Sequence, residues 1–332
     1  MQSAPLLEVD GLRVEYATAH GSVVAVVDVD LQVEPQSFVG IVGESGCGKS
    51  TLLFGIDQLL SPPAAITAGS VTFRGSNLVT MTEKQLNVLR WEHYSVVMQS
   101  AMNALNPVKS IRAQFDDAFA AHGHTSSSEN DRRSTEVMKL VGIDPIHLKS
   151  YAHQLSGGMR QRAMIAMALL FTPELIIMDE PTSALDVVGQ RSLMAQIKRL
   201  QQELGFAVIF VTHDMSLVSH FSDQLVVMYA GQIAELGPTR AVFDHPAHPY
   251  SQGLLDAFPS IRGPRVELTG IPGSPPDLSS PPAGCRFNPR CPRVFSDCLT
   301  VEPGLYDAGE TTARCLLHAV DTAKSTREGS IR

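Results

Sequence analysis

Gly43-Glu44-Ser45-Gly46-Cys47-Gly48-Lys49-Ser50, continued by Thr51, stands directly after the apolar run Phe38-Val39-Gly40-Ile41-Val42. A buried strand, a glycine-rich turn and a helix start are written in succession, and that succession is the phosphate-loop pattern. The glycines let consecutive N–H groups point into one concavity, where they cradle phosphate oxygens. The helix N-terminus adds partial positive charge. In such a loop Lys49 reaches the β- and γ-phosphates and the Ser50 hydroxyl ligates Mg²⁺. Gly43, Ser45, Gly46, Cys47, Gly48 and Thr51 complete the expected ATP-binding set. Cys47 contributes through its backbone, which leaves its thiol incidental.

A second run, Leu175-Ile176-Ile177-Met178-Asp179-Glu180, is an apolar strand ending in two carboxylates. Asp179 is then expected beside the Mg²⁺. Glu180, one residue further on, is expected to orient or deprotonate the attacking water. Ala207-Val208-Ile209-Phe210-Val211 is a third buried strand. All three are Val/Ile-rich without alternation, as strands covered on both faces are. They predict a largely parallel sheet of α/β class. Leu6–Tyr16 and Val23–Val33 predict antiparallel strands joined by a loop containing Gly21.

Outward from these strands, the organisation is uneven. Residues 80–155 are more polar and helical in pattern, with a loop-like stretch at Thr125-Ser126-Ser127-Ser128, and predict an inserted helical subdomain. The ATPase domain is expected over residues 1–258. Ile271–Gly284 contains five prolines and predicts an extended, irregular segment. A small extension is expected over 259–320 and a disordered tail over 321–332.

Composition narrows the function classes. The 332 residues are 44% hydrophobic and 18% charged, which suits a substantial core. A net charge of −8 argues against a general nucleic-acid binder. No run approaches the roughly 18 apolar residues of a membrane span. Met1–Pro5 carries neither a basic stretch nor a signal-peptide core. The expectation is a cytosolic protein whose membrane association comes through a partner. Four of five cysteines fall between Cys285 and Cys315, and such clustering points to metal rather than to disulfides.

Phosphate loops occur in many NTPases, so the class rests on Leu155-Ser156-Gly157-Gly158-Met159-Arg160-Gln161-Arg162, which resembles the ABC signature and opens an apolar helix expected to run through Leu170. The resemblance implies that Ser156, Gly157, Gly158 and Gln161 serve the nucleotide held by an opposite subunit, in a head-to-tail dimer. It implies that Gln99 is the Q-loop glutamine, touching Mg²⁺ and the attacking water, and that Ser183-Ala184-Leu185-Asp186 is the D-loop at the dimer interface. His213 is similar to the switch histidine that contacts the γ-phosphate, and Tyr16 to the aromatic residue that stacks on adenine.

Tyr151–Arg162, Ala101–Pro107 and His248–Leu255 narrow the resemblance to the ATPase subunits of dipeptide and oligopeptide importers, from about Leu6 to His318. Ala152 stands where that family often has proline. The resemblance implies an ATP-hydrolysing motor, on the cytoplasmic face of a cell membrane, for peptide import. Its expected partners are a second, related ATPase subunit, two membrane-spanning permease subunits and an external substrate-binding protein. The same ATPase family also serves nickel and oligosaccharide importers, and a soluble ABC ATPase acting away from membranes is the alternative from another class. The stretch from Pro281 to Pro292, with Cys285, Cys291, Cys298 and Cys315, is similar to a family region that holds a [4Fe-4S] cluster through four cysteines. Zinc and simple reduced thiols stay open beside it.

Overall fold

The computed structural model describes residues 4–19, 21–99, 104–183, 185–257 and 270–319. Expectations resting on Ala101, Met102, Asn103, Ala184, residues 259–269 and the tail from 321 lie outside the described residues. Among the described residues no helix is long and apolar enough to cross a membrane. The described chain folds as two compact units, one drawn from residues 1–33, 39–79 and 212–332, the other from 34–38 and 80–211.

In the first unit β1 (Leu7–Thr18) and β2 (Gly21–Val33) pair antiparallel. Leu7, Val9, Leu12 and Val14 are buried while residues between them are more open, the alternation of a strand with one covered face. The turn is tighter than the sequence suggests, because Gly21 already pairs with Thr18. Next comes β3 (Phe38–Val42), buried at all five positions, then α1 (Lys49–Ile56). Antiparallel β4 (Ala64–Phe73) and the short β5 (Ser76–Asn77) complete a sheet of order β2-β1-β4-β5.

The second unit begins with α2 (Glu83–Leu89), entered through a Thr82/Gln85 capping box. It continues through β6 (Tyr94–Val97), α3 (Ile111–Ala121), α4 (Ser127–Leu140), α5 (Gly157–Ala168), β7 (Leu175–Asp179), α6 (Val187–Leu204) and β8 (Ala207–Val211). Strands β6, β7 and β8 are neighbours and parallel. The stretch expected as a loop at Thr125–Ser128 instead enters α4, with Ser126 at the N-cap position. Serine favours helix entries as much as turns, so composition alone does not separate them. Helix α5 stops two residues short of Leu170. Arg133 of α4 donates to the carbonyls of Leu169 and Leu170, which takes up acceptors left open at that helix end. Buried Phe38 and Phe210 meet edge to face at 5.3 Å and tie the start of β3 to β8 within this unit.

The chain returns to the first unit through α7 (Met215–Phe221), β9 (Gln224–Tyr229), β10 (Gln232–Pro238), α8 (Thr239–Asp244) and α9 (Pro249–Asp256). Strand β9 runs parallel to β3 and antiparallel to β10. Residues 270–287 are irregular, as their prolines require. Two short strands, β11 (Tyr306–Asp307) and β12 (Thr312–Ala313), then extend the same sheet, in the order β11-β12-β10-β9-β3.

Candidate functional site

The phosphate loop leaves β3 at Gly43 and closes on α1. A Cβ at Gly48 would stand 2.4 Å from the Ala25 carbonyl oxygen, and its φ of 102° lies where side chains are disfavoured, so only glycine fits. The loop wraps its own lysine: Lys49 is buried and its Nζ donates to the carbonyls of Gly43 at 2.8 Å and Glu44 at 3.0 Å. Ser50 offers a hydroxyl in the first turn of α1, a hard oxygen of the kind Mg²⁺ takes. Cys47 is buried, and that burial pushes its thiol upward from the ordinary range, against the pull of the Lys49 charge. Tyr16, partly exposed on β1, holds its hydroxyl 3.1 Å from Thr51 Oγ1 and so sits against the helix that the loop opens. His213 is exposed, between Thr212, whose N–H donates to Ile41 O at 3.2 Å, and Asp214, which caps α7 by accepting from Ser216 N at 2.8 Å.

The second unit carries the carboxylates. Asp179 ends β7 and is buried, while Glu180 follows at φ 45°, a left-handed backbone that costs a non-glycine residue energy. The Glu180 N–H is held by Val211 O at 3.0 Å, which fixes the strained residue in place. Gln99 Nε2 donates to Glu180 Oε2 at 3.1 Å. The structure thus brings the expected Q-loop glutamine and the expected base together.

Ser156 caps α5, its hydroxyl accepting from Met159 N at 3.3 Å, and its side is exposed. A Cβ on Gly158 would meet nothing within 4 Å. The signature turn therefore faces open space, over a cavity of about 440 Å³ lined by Gly142, Ser156, Gly158, Met159, Leu185 and Gly189 among others. Gln161 points the other way: it is buried and donates to Pro181 O, bracing the turn after Glu180. Asp186 caps α6, accepting from Gly189 N at 2.7 Å.

The four clustered cysteines are free thiols that line one small cavity, of about 10 Å³, together with His248 and Phe287. Burial pushes the Cys285 thiol up to about 11 and raises Cys291 and Cys315 as well. The donor chemistry suits a thiolate-bound centre. The spacing does not: among the described residues no group of three or more His, Cys, Asp or Glu side chains is placed to hold a metal ion. Room for about one water-sized sphere is also far less than an eight-atom cubane core requires.

Contacts absent from the sequence reading surround the loop. Tyr250 Oη accepts from Glu44 N at 2.9 Å, and Arg290 grips the Glu44 carboxylate through two nitrogens at 2.7 and 2.9 Å. Beyond Gln99, Gln114 accepts from Asn106 N at 2.8 Å and donates to Lys109 O at 3.2 Å, which ties down the segment that follows the undescribed residues. Local patterns give no signal for partners so distant.

A glycine-lined phosphate loop, a strand ending in paired carboxylates and a capped signature helix define an ABC-type ATPase cassette. The family profile of ABC transporters matches residues 26–183, and the profile of the oligopeptide/dipeptide transporter C-terminal region matches residues 234–298. The oligopeptide transport ATP-binding protein OppD of Salmonella typhimurium is 42% identical over 300 residues, 90% of this chain and 89% of its own. The dipeptide transport ATP-binding protein DppD of Bacillus subtilis is 41% identical over 302 residues, 90% of each chain. Among solved structures, a dimeric ATP-binding cassette in a post-hydrolysis state with ADP and phosphate gives a TM-score of 0.63 at 27% identity, over 70% of this chain and 99% of that one. A cassette of an ABC transporter complex from Clostridium perfringens gives 0.64 at 28%, over 73% and 92%. The chain belongs to the ATP-binding subunits of the dipeptide/oligopeptide ABC importer family, and it is an ATPase.

Proposed function

We propose that this chain is the motor of a peptide importer, and that ATP binding and hydrolysis on it drive uptake through membrane-spanning permease partners. The observation that carries the reading is the match of one chain to both the cassette and the peptide-transporter C-terminal region. Lys49 and the loop amides hold the phosphates, Ser50 and Asp179 hold Mg²⁺ with Gln99, and Tyr16 packs on adenine. Glu180 takes the proton of the attacking water, and His213 steadies the γ-phosphate. The exposed signature turn, Ser156 to Gly158, serves the nucleotide of a second, related ATPase subunit, with Asp186 at the exposed start of α6 and Gln161 acting through its brace on Pro181. This division of labour uses an ATPase domain of 1–258 with a coupling subdomain of 80–155, followed by the extension of 259–320 and the tail of 321–332. An external binding protein delivers the peptide, and the chain works peripherally at the cytoplasmic face.

Cys285, Cys291, Cys298 and Cys315 line one cavity, and a thiolate-bound [4Fe-4S] or zinc centre that cross-links the extension would require these side chains to draw closer than they stand. Reconstitution tests the whole reading. Proteoliposomes holding the chain with its co-purifying membrane subunits should take up labelled peptide only with ATP. Uptake of nickel or oligosaccharide in place of peptide would overturn the substrate, and isolation without membrane proteins would overturn the transporter. Native mass spectrometry of the complex should find one copy of this chain beside a second ATPase; two copies would overturn the heterodimer.

A further inference from the structure

Three of the four clustered cysteines each have an arginine beside them in sequence: Cys285-Arg286, Arg290-Cys291 and Arg314-Cys315. Each arginine reaches from the extension into the body of the first unit. Arg314 donates to Asp28 O at 3.1 Å on β2, and Arg286 donates to Ala230 O in the β9–β10 turn. The next residue in that turn, Gly231, donates its N–H to Cys47 O of the phosphate loop at 2.9 Å.

Arg290 makes the direct connection. Its guanidinium lies 5.8 Å from the centre of the Tyr229 ring and donates to Pro272 O at 2.8 Å, and its two terminal nitrogens hold the Glu44 carboxylate. The Arg290 side chain is only 5% exposed and that of Glu44 25%, so the pair is largely shielded from water and salt. Two parallel hydrogen bonds between planar groups fix orientation as well as distance. Glu44 is also the residue whose carbonyl receives Lys49 Nζ. Arg290 therefore sets the position of a loop residue that in turn holds the phosphate-binding lysine. It also neutralises a carboxylate inside a loop whose task is to bind a polyanion.

We propose that Arg290 is a positioning residue for the phosphate loop, and that through it the four-cysteine extension and nucleotide binding are coupled. The proposal rests on the reading that this loop binds ATP. Coupling between two sites is reciprocal, so nucleotide at the loop must act back on the segment that carries Cys285 and Cys291.

Titration of the full chain with a fluorescent ATP analogue and Mg²⁺ tests it. Arg290→Met should weaken binding about 10-fold, within the usual range of such couplings. Arg290→Lys should recover only part of that loss, because a lysine lacks the fork. Glu44→Gln should weaken binding as well, and adding it to Arg290→Met should cost little beyond the single loss, since both substitutions break the same contact. An Arg290→Met variant that binds normally, or a double variant whose loss is the sum of the two single losses, would overturn the proposal. A parent chain that fails to bind the analogue would instead overturn the ATP reading. Hydrogen–deuterium exchange decides the matter if Arg290→Met does not fold. The analogue should slow exchange over residues 285–291 in the parent and leave it unchanged in Glu44→Gln. Exchange that does not respond to the analogue in the parent would also refute the coupling.

Discussion

Gln99 Nε2 and Glu180 Oε2 stand 3.1 Å apart, joined by a hydrogen bond. The amide donates to the carboxylate oxygen, which orients the carboxylate from a segment remote in sequence. Glu180 is held on its other side by its own N–H to Val211 O, in a left-handed backbone. Strain kept in place by fixed partners clusters at functional sites, which fits the role proposed for Glu180.

Glu180→Gln keeps the backbone and the size of the side chain while removing the proposed base. Turnover of the assembled complex should fall about 10²–10⁴-fold, the range for a general base, with ATP-analogue binding unchanged. Steady-state phosphate release beside equilibrium binding checks this, and a variant that still turns over at the parental rate refutes the assignment.

Two glycines should behave in opposite ways. Gly48→Ala places a Cβ 2.4 Å from Ala25 O at φ 102°, so it should both abolish nucleotide binding and destabilise the fold by about 1–3 kcal/mol. Gly158→Ala meets open space in a helix, where alanine is favoured over glycine by up to about 1 kcal/mol. That variant should be at least as stable as the parent in denaturant melts, yet hydrolyse ATP more slowly in the assembled complex. Normal hydrolysis by a stable Gly158→Ala complex would remove the signature turn from the chemistry.

Cys47 gives a prediction in pH. Burial raises its thiol above the ordinary value, so the reactive thiolate is scarcer at neutral pH than in a free cysteine, and its share grows as pH rises through and past the ordinary range. Maleimide labelling read by peptide mass mapping should find Cys47 slow at pH 7, faster at pH 9, and fast at once in denaturant. Rapid labelling of the native protein at pH 7 would contradict its burial.

The proposed centre requires the four thiols to draw closer than they stand, and protein purified without oxygen should then carry metal there. Elemental analysis is expected to give roughly four irons per chain with broad visible absorption for a cubane centre, or one zinc and no colour. Cys291→Ser should lose the metal and loosen the extension while the loop still folds. Metal-free protein with an intact extension would leave only reduced thiols there.

The parts legible in the sequence were those that local chemistry dictates. Phe38–Val42, Leu175–Asp179 and Ala207–Val211 are buried strands because nothing polar interrupts them, and the phosphate loop is legible because glycine spacing has few other uses. Ser126–Ser128 misled because a serine cluster suits a loop and a helix entry alike. Strands β11 and β12 are two residues each, too short for any periodic signal, and exist only because β10 offers β12 an edge and β12 in turn pairs with β11. The Arg290–Glu44 pair joins residues 246 positions apart, and charge complementarity across such a distance has no local signature.

Those two short strands bear on what happens if the extension is lost. Strand β10 is buried along most of its length, and β12 occupies the side of it that β9 does not. Truncation before residue 306 would leave Ile233, Ala234 and Leu236 on a bare rim of unpaired amides and carbonyls, a template for a neighbouring chain to add itself. Proteolytic clipping of this tail is therefore expected to produce a precipitation-prone protein rather than a smaller working one, with the two-residue strand serving as a guard against self-assembly.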